Sequence, residues 1–207
     1  MMHGHDHLWS EHDPGTLDSE DADVVIAVRK GERRRAAAIL VARHGDTVYR
    51  YVLAMTGNCH LAEDIHQQVF LEAYRDLEGF SGRSSLRLWL LGIARHRCID
   101  ALVVTRRWND RFKNESLGET EADDCAADRT IDRCRMQRIL AGCLTRLTPA
   151  SREAVMLRYQ EELSYEEAAA VAGVCAATLQ KRVTRALPLL RRYLRAELCS
   201  GAADPAE

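Results

Sequence analysis

The stretch LAEDIHQQVFLEAYRDLEGFSGRSSLRLWLLGIARHRCIDAL, residues 61–102, decides the fold. In its first part, apolar side chains recur at three- and four-residue steps, which predicts an amphipathic helix from Leu61 to Leu77. Two glycines then mark a turn, and Ser84 or Ser85 is suited to cap a second helix that runs to about Arg107. The start of this second helix is apolar almost all round and is therefore expected to be buried.

Three further helices are predicted upstream of this stretch. The first opens at Asp21, where acidic side chains suit the positive end of a helix, and Gly31 marks its end. Separate helices over Glu32–Arg43 and Thr47–Met55 follow. No segment shows the period-two alternation of a strand, so the chain is predicted to be all-α.

A helix-turn-helix pattern lies downstream, after a helix start at Thr148-Pro149. Ser164 and Glu167 have the spacing of a capping box, in which each side chain bonds the other residue's backbone N–H. Gly173 supplies the positive φ that a tight turn between two helices needs. We expect the second helix to kink or end just before Pro188, because proline removes a backbone donor.

The second helix of this pattern has apolar anchors at an i, i+4 spacing, Leu179 and Val183. The other side chains of this helix are expected to face either solvent or DNA. Glutamine and arginine can read base edges, whereas lysine and threonine more often meet phosphate. The candidate DNA-binding residues are Thr178, Gln180, Lys181, Arg182, Thr184 and Arg185. A helical hairpin with a solvated basic face is the alternative interpretation.

A second basic region covers residues 83–113, with eight cationic residues against two acids. Aromatic side chains are interleaved with these cations, namely Phe80, Trp89, Trp108 and Phe112. Cations that follow phosphates and rings that stack on nucleobases favour single-stranded or melted DNA. For Trp89, whose neighbours are apolar, a place in the core is favoured. For Phe80, a functional and a structural role are equally open.

Charge is unevenly distributed along the chain, although its net value is only −2. Residues 24–114 carry a net charge of +7 and residues 133–195 also +7, while residues 115–132 between them carry −6. Two basic blocks joined by an acidic connector indicate two polyanion-binding domains. We therefore predict a disordered His- and acid-rich tail (1–20), a first domain (21–113), an acidic linker (114–131), a second domain (132–195) and a final tail (196–207).

The seven cysteines form no CxxC pair and no evident disulfide framework. The acidic start predicts no signal peptide, and the longest apolar run, Leu88–Ala94, is too short for membrane insertion. These features favour a reducing cytoplasm and no cofactor. Possible metal ligands, such as the four histidines of the tail or Cys59, His60 and His66, lack the repeated pairs of a structural zinc site. No metal site is predicted.

Taken together, these motifs resemble those of the extracytoplasmic-function sigma factors of bacterial RNA polymerase. AEDIHQQVFLEAYRDLEGF (62–80) is similar to the family's polymerase-binding helix, and FSGRSSLRLWLLGIARHRCIDAL (80–102) to its −10 element loop and helix. LTPASREAVMLRYQEELSYEEAAAVAGVCAATLQKRVTRAL (147–187) is similar to its −35-reading helix-turn-helix. The resemblance implies two small helical domains and a promoter-specificity subunit that is not an enzyme.

The resemblance also implies three sets of contact residues. Core RNA polymerase would be contacted by Asp64, Gln67 and Gln68. The −10 element would be held by Phe80, Ser81, Gly82, Arg83 and Ser84 in the loop and by Arg95, His96, Arg97, Arg106 and Arg107 in the helix. The −35 element would meet Gln180, Lys181, Thr184 and Arg185 among the candidates named above. The implied partners are core RNA polymerase, promoter DNA and an anti-sigma factor.

Four positions depart from the family's usual pattern. His96 stands where asparagine is usual, and His66 replaces an apolar residue in the polymerase-binding helix. Ser81 takes the place of a frequent arginine, and Gln180 that of a lysine or arginine. The base preferences at both promoter elements are therefore expected to be this protein's own.

Two other functions are compatible with parts of the sequence. A helix-turn-helix transcriptional regulator that is not a polymerase subunit would use the second domain, but it would not need the basic and aromatic region 83–113. A metal-dependent enzyme would need a motif such as HExxH or a P-loop, and the sequence contains neither.

Overall fold

The computed structural model describes residues 21–80, 84–111 and 131–200. Within these ranges every regular element is helical, which confirms the all-α prediction. The helices are α1 (Ala22–Arg29), α2 (Arg33–Thr56), α3 (Cys59–Asp76), α4 (Leu86–Arg111), α5 (Ile131–Thr145), α6 (Pro149–Val155), α7 (Tyr165–Ala172) and α8 (Ala176–Ser200). They form two compact units, one built on α1–α4 and the other on α5–α8. The tail 1–20 and nearly all of the predicted linker lie outside the described residues.

Helix α1 is fixed to α2 by a cluster of charged side chains. Arg43 donates to Asp21 at 2.9 Å and to Asp23 at 2.8 Å, and the His44 ring lies 3.2 Å from the same Asp21 oxygen. Burial alone would raise the pKa of Asp21, but the hydrogen bonds from His44 and Arg43 outweigh burial and leave that pKa below its ordinary value. The cluster therefore favours the ionised form of Asp21.

Helix α2 is continuous, whereas the sequence predicted two helices over its length. The predicted break around His44 and Gly45 is wrong, because both residues are buried in the middle of the helix. Leu40 and Val48, which flank them, are each 1% exposed and continue one apolar stripe through this point. Burial of that stripe outweighs the cost of a glycine inside a helix, about 1 kcal/mol.

A short turn connects α3 to α4 in the first unit. The end of α3 passes into a single 3-10 turn, Leu77–Gly79, and then to Phe80. Of the two predicted capping residues, Ser85 caps α4, since its hydroxyl accepts from the Leu88 N–H at 3.3 Å. Arg33 holds the turn from the start of α2. Its guanidinium donates to the Tyr74 carbonyl at 3.0 Å and pairs with Glu78 at 3.2 Å.

The predicted signals of the helix-turn-helix are confirmed in the second unit. Thr148 caps α6 through a hydrogen bond from the Ser151 N–H at 3.3 Å. The capping box at the start of α7 is complete, with Ser164 accepting at 3.1 Å from Glu167 and the Glu167 carboxylate accepting at 2.8 Å in return. Gly173 ends α7 in the left-handed region, at φ 62°. One feature was not predicted: α6 continues as a π-helical segment, Met156–Gln160.

A buried arginine ties α6 to the end of α5. Arg152 is 8% exposed, and it donates to the Leu144 carbonyl at 3.0 Å and to the Thr145 carbonyl at 2.9 Å. Burial lowers the pKa of Arg152, but the two carbonyls accept hydrogen bonds from its guanidinium and so stabilise the charged form. The last carbonyls of α5, which have no partner within the helix, are satisfied in this way.

Helix α8 runs through Pro188, so of the two predicted outcomes, a kink or an end just before this residue, the end is wrong. Pro188 is exposed, and the carbonyl that it leaves without a donor can meet water. On the opposite side, Ala186 and Leu190 are buried and hold the helix against the unit's core. The helix reaches Ser200, five residues beyond the predicted end of the domain at residue 195. Among the described helices, none combines the length and apolar character needed to cross a bilayer.

Candidate nucleic-acid interfaces

One exposed stripe of α3 holds the residues predicted to contact polymerase. Asp64, Gln67 and Gln68 are exposed and follow one another at helical spacing, so they share a face. Leu71 continues the same face one turn later and is 57% exposed. The opposite side of α3 is buried, through Ala62, Ile65, Val69 and Ala73. We refer to Asp64, Gln67, Gln68 and Leu71 as the α3 stripe.

Leu71 was missed by the sequence analysis. An exposed leucine amid polar side chains is informative when it extends a polar surface that already suits a partner. A signal for it was present in the sequence, because Leu71 falls outside the apolar period formed by Ile65, Val69 and Ala73. Leu71 is exposed because its position in the helical repeat places it on the polar side of α3.

His66 lies on the side of α3 away from the α3 stripe and is half-buried against α2. Its Nε2 lies 3.2 Å from the Gly45 carbonyl, so this nitrogen carries the proton and donates it. Its ring packs edge-on against Tyr49 and at 4.9 Å from Phe70. The imidazole therefore replaces an apolar side chain as a packing element with one hydrogen bond. Within the described part of the chain, no group of three or more potential metal ligands comes together.

The first candidate DNA surface is formed where the 3-10 turn meets α4. The Phe80 ring lies 5.2 Å from the Trp89 ring, at an interplanar angle of 48°. Both residues are half-buried, so the expectation that Trp89 lies in the core is wrong. Its neighbours Leu88, Leu90 and Leu91 fill the core instead. Trp89 differs from them because it lies on the side of α4 that Phe80 covers.

The predicted cations of α4 are arranged around an exposed histidine. His96 lies two turns after Trp89 on the same side of the helix and is exposed, whereas Arg95 and Arg97 flank it and are half-buried. Arg97 donates to the Glu72 carboxylate at 2.7 Å, so its charge serves to join α4 to α3. We refer to Phe80, Trp89 and His96 as the α4 face.

Some predicted residues of this surface are not described. Ser81, Gly82 and Arg83 lie outside the described residues, as do the side chains of Arg106 and Arg107. Ser84 is described and is half-buried at the entrance to α4.

The second candidate DNA surface is the outward side of α8. Gln180, Lys181, Thr184 and Arg185 are exposed, whereas Leu179 and Val183 are buried as predicted. The Thr184 hydroxyl donates to the Gln180 carbonyl at 2.9 Å, so its proton is used within the helix and its oxygen remains an acceptor. The other two candidates, Thr178 and Arg182, are half-buried at the sides of this surface.

Cys175 precedes this surface at the start of α8. Its sulfur lies 3.1 Å from the Thr178 hydroxyl, and its carbonyl accepts from the Thr178 and Leu179 N–H groups. Hydrogen bonding to Thr178 lowers the pKa of the exposed Cys175 thiol, and nearby Lys181 acts in the same direction. A cysteine thus occupies the place of a helix-capping serine.

Comparison with known proteins assigns both units. The family model of sigma-70 region 2 matches residues 40–108, and that of sigma-70 region 4 matches residues 137–190. The chain is 34% identical over 159 residues to the ECF RNA polymerase sigma factor SigE of Mycolicibacterium smegmatis, covering 75% of this chain and 60% of that protein. It is 33% identical over 163 residues to the ECF RNA polymerase sigma factor SigC of Mycobacterium tuberculosis, covering 79% and 85%. Among solved structures, CnrH in complex with the cytosolic domain of CnrY matches with a TM-score of 0.61 and 27% identity, over 84% of this chain and 98% of that one.

Proposed function

This chain belongs to the extracytoplasmic-function (ECF) sigma factors of the sigma-70 family, and we propose how its residues divide the tasks of such a subunit. Sigma factors of this family are regulatory subunits of RNA polymerase and direct initiation at promoters; they are not enzymes in themselves. In this proposal the α3 stripe binds core polymerase, the α4 face holds the −10 element, and α8 reads the −35 element.

The α3 stripe suits a protein partner. It combines a carboxylate, two amides and an exposed leucine on one side of a helix whose other side is fixed in the core. Such a surface offers hydrogen bonds around one apolar contact, which is the usual anatomy of a protein interface. The resemblance to the family's polymerase-binding helix makes the clamp of the largest polymerase subunit the partner.

The α4 face suits an unpaired nucleobase. Phe80 and Trp89 present two adjacent aromatic rings that are only half-buried, and His96 adds a polar group on the same side. Stacking of a base on an aromatic ring contributes about 1–3 kcal/mol, which is the order needed to hold a base out of a duplex. Arg95 and the arginines later in α4 supply charge for the phosphates, while Arg97 keeps α4 in place through Glu72.

The outward side of α8 suits the major groove. The buried anchors Leu179 and Val183 and the left-handed Gly173 orient the helix, so that Gln180, Lys181, Thr184 and Arg185 point away from the unit. Gln180 and Arg185 can form paired hydrogen bonds to adenine and guanine. The observation that carries the whole proposal is that one chain has this surface and the α4 face together, as recognition of a two-part promoter requires.

Reconstituted transcription with core polymerase tests this function. On a cognate promoter we expect specific initiation that depends on the chain, and elution of the chain together with core polymerase. Gln67→Ala with Leu71→Ala should weaken core binding, whereas Asp46→Ala, at an exposed position on α2, should not. A symmetric footprint on duplex DNA without polymerase, and no initiation with it, would favour a helix-turn-helix regulator instead.

Base reading is tested separately. Arg185→Ala should cost about 1–3 kcal/mol of binding and relax the preference at one −35 position if the arginine reads a base. Arg29→Ala, which removes another exposed arginine, from α1, should do neither. Uniform weakening on all promoter variants would assign Arg185 to a phosphate.

A regulatory partner and a location complete the proposal. The solved structure of CnrH holds it in complex with the cytosolic domain of another protein, CnrY. By the family resemblance, the regulatory partner that we propose for this chain is an anti-sigma factor. Such a partner would compete with polymerase or DNA for the surfaces described above. Because its partners are polymerase and DNA, this chain acts in the cytoplasm. Purification of the chain from its own cells with its bound proteins tests the partner directly.

A further inference from the structure

Helix α8 is longer than base reading requires, and its second half has a cationic side of its own. The helix covers 25 residues, of which those up to Arg185 belong to the base-reading surface. Beyond that surface, Arg191, Arg192 and Arg195 are exposed. The only acidic residue in α8 is Glu197, which pairs at 3.2 Å with Arg146 in the turn after α5.

The cations of the two halves lie on one line. Lys181, Arg185, Arg192 and Arg195 follow at intervals of four, seven and three residues, which returns each to the same side of the helix. The opposite side is buried, with Leu179, Val183, Ala186 and Leu190 exposed by 8% or less. Pro188, exposed and uncharged, lies within the line and leaves it uninterrupted by any acid. We refer to the four cations as the α8 stripe.

The α8 stripe is longer than the major groove of DNA is wide. At 1.5 Å per residue, Lys181 and Arg195 are about 21 Å apart along the axis. The major groove of B-DNA is about 12 Å wide. A helix seated in the groove through its first half therefore leaves it before Arg192 and meets the flanking phosphate ridge.

We propose that Arg192 and Arg195 bind DNA phosphates beside the −35 element and so form a sequence-independent extension of the base-reading surface. This inference rests on the proposed −35 function of α8. Duplex DNA is the occupant that fits, because the stripe is purely cationic and continuous with residues that face base edges. Phosphate contacts fix register on the duplex without adding to base preference, so the two halves of one helix have different roles.

Salt dependence measures this role. The holoenzyme, formed from the full chain and core polymerase, is titrated with a duplex fragment that ends between the −35 and −10 elements. Each phosphate contact contributes about −0.9 to the slope of log K against log salt, so R192Q with R195Q should make the slope shallower by about 1.8. Between about 50 and 200 mM salt, the wild type should lose about 12-fold more affinity than the variant.

Two controls separate position from charge. The variant R29Q with R34Q removes two exposed arginines from the first unit and changes the net charge equally, so it should keep the wild-type slope. A second fragment carries neutral methylphosphonates in place of the phosphates that flank the −35 element. With it, the wild type should show the same shallower salt slope as R192Q/R195Q, and the slope of R192Q/R195Q should not change further. The ratio of cognate to scrambled −35 affinity should stay unchanged in the double variant.

Three results would overturn the inference: an unaltered slope in R192Q/R195Q, a changed base preference, or weakened binding to core polymerase with normal DNA binding. The last would mean that the stripe faces a protein. If the wild-type holoenzyme itself does not distinguish the cognate from the scrambled fragment, the proposed −35 function fails first. The experiment therefore separates the two failures.

Discussion

Replacing Arg152 by methionine tests whether the second unit depends on its buried arginine. Methionine keeps most of the apolar stem and removes the donors to the Leu144 and Thr145 carbonyls, which lie at 3.0 and 2.9 Å. The Leu144 carbonyl keeps one partner, the Leu147 N–H at 3.1 Å. The Thr145 carbonyl lies where α5 becomes exposed and can meet water.

These contacts set the size of the effect. One charged hydrogen bond in a buried place contributes about 1.5–3 kcal/mol, and the bond to Thr145 adds less because water can replace it. Arg152 is only 8% exposed, so its charge carries a desolvation penalty in the folded protein. Methionine carries no such penalty, and this offsets part of the lost hydrogen-bond energy. We therefore expect a net loss of about 1–2 kcal/mol, which corresponds to roughly 5- to 30-fold faster opening of the α5–α6 junction.

Hydrogen exchange gives the required local measurement, because the chain has two units and a single melting temperature would mix them. The amides of α5, of α6 and of Leu147 in the turn between them should exchange faster in Arg152→Met, while those of α2 keep their rates. Arg146→Met is the matched control. Its pair with Glu197 is about half exposed and contributes only about 0–1 kcal/mol. Equal exchange in the two variants would show that burial does not strengthen the Arg152 contacts.

Three further predictions concern single side chains. Arg33→Gln removes the donor to the Tyr74 carbonyl, and a few-fold faster exchange of the amides in the following 3-10 turn is expected, with Arg34→Gln as control. Asp21→Asn should loosen α1 at pH 7. Because the pKa of Asp21 is lowered by folding, this stabilisation is present above its unfolded pKa of about 3.9 and is lost at lower pH, so exchange in variant and wild type should converge there. Cys175 should react with iodoacetamide at lower pH in the wild type than in Thr178→Ala, because the hydrogen bond to Thr178 lowers the pKa of the Cys175 thiol. Equal rates would contradict the Thr178 hydrogen bond.

Local signals were predictable from the sequence. The caps at Thr148 and Ser164 and the turn at Gly173 each depend on residues within a few positions, and each is confirmed. The same holds for the buried anchors of α8, because helical periodicity alone places them opposite the polar side chains.

Contacts between distant segments were not predictable in the same way. The continuity of α2 at Gly45 depends on burial against other helices, and the path of α8 through Pro188 depends on the core beneath Leu190. Trp89 looked like a core residue because its neighbours are apolar. Its place beside Phe80 follows from the fold of the intervening turn. In each case tertiary packing decided what local propensity left open.

His66 and His96, the two histidines of region 2 that depart from the family pattern, differ in whether they can affect promoter specificity. His66 donates to the Gly45 carbonyl and packs against Phe70, so its difference from an apolar residue is absorbed inside the fold. It packs α3 against α2 on the side away from the α3 stripe. His96, in contrast, is exposed on the α4 face, two turns from Trp89. An imidazole and an amide offer a nucleobase different donors and acceptors. If this protein prefers other bases at the −10 element than its relatives do, His96 and not His66 is the residue expected to determine that preference.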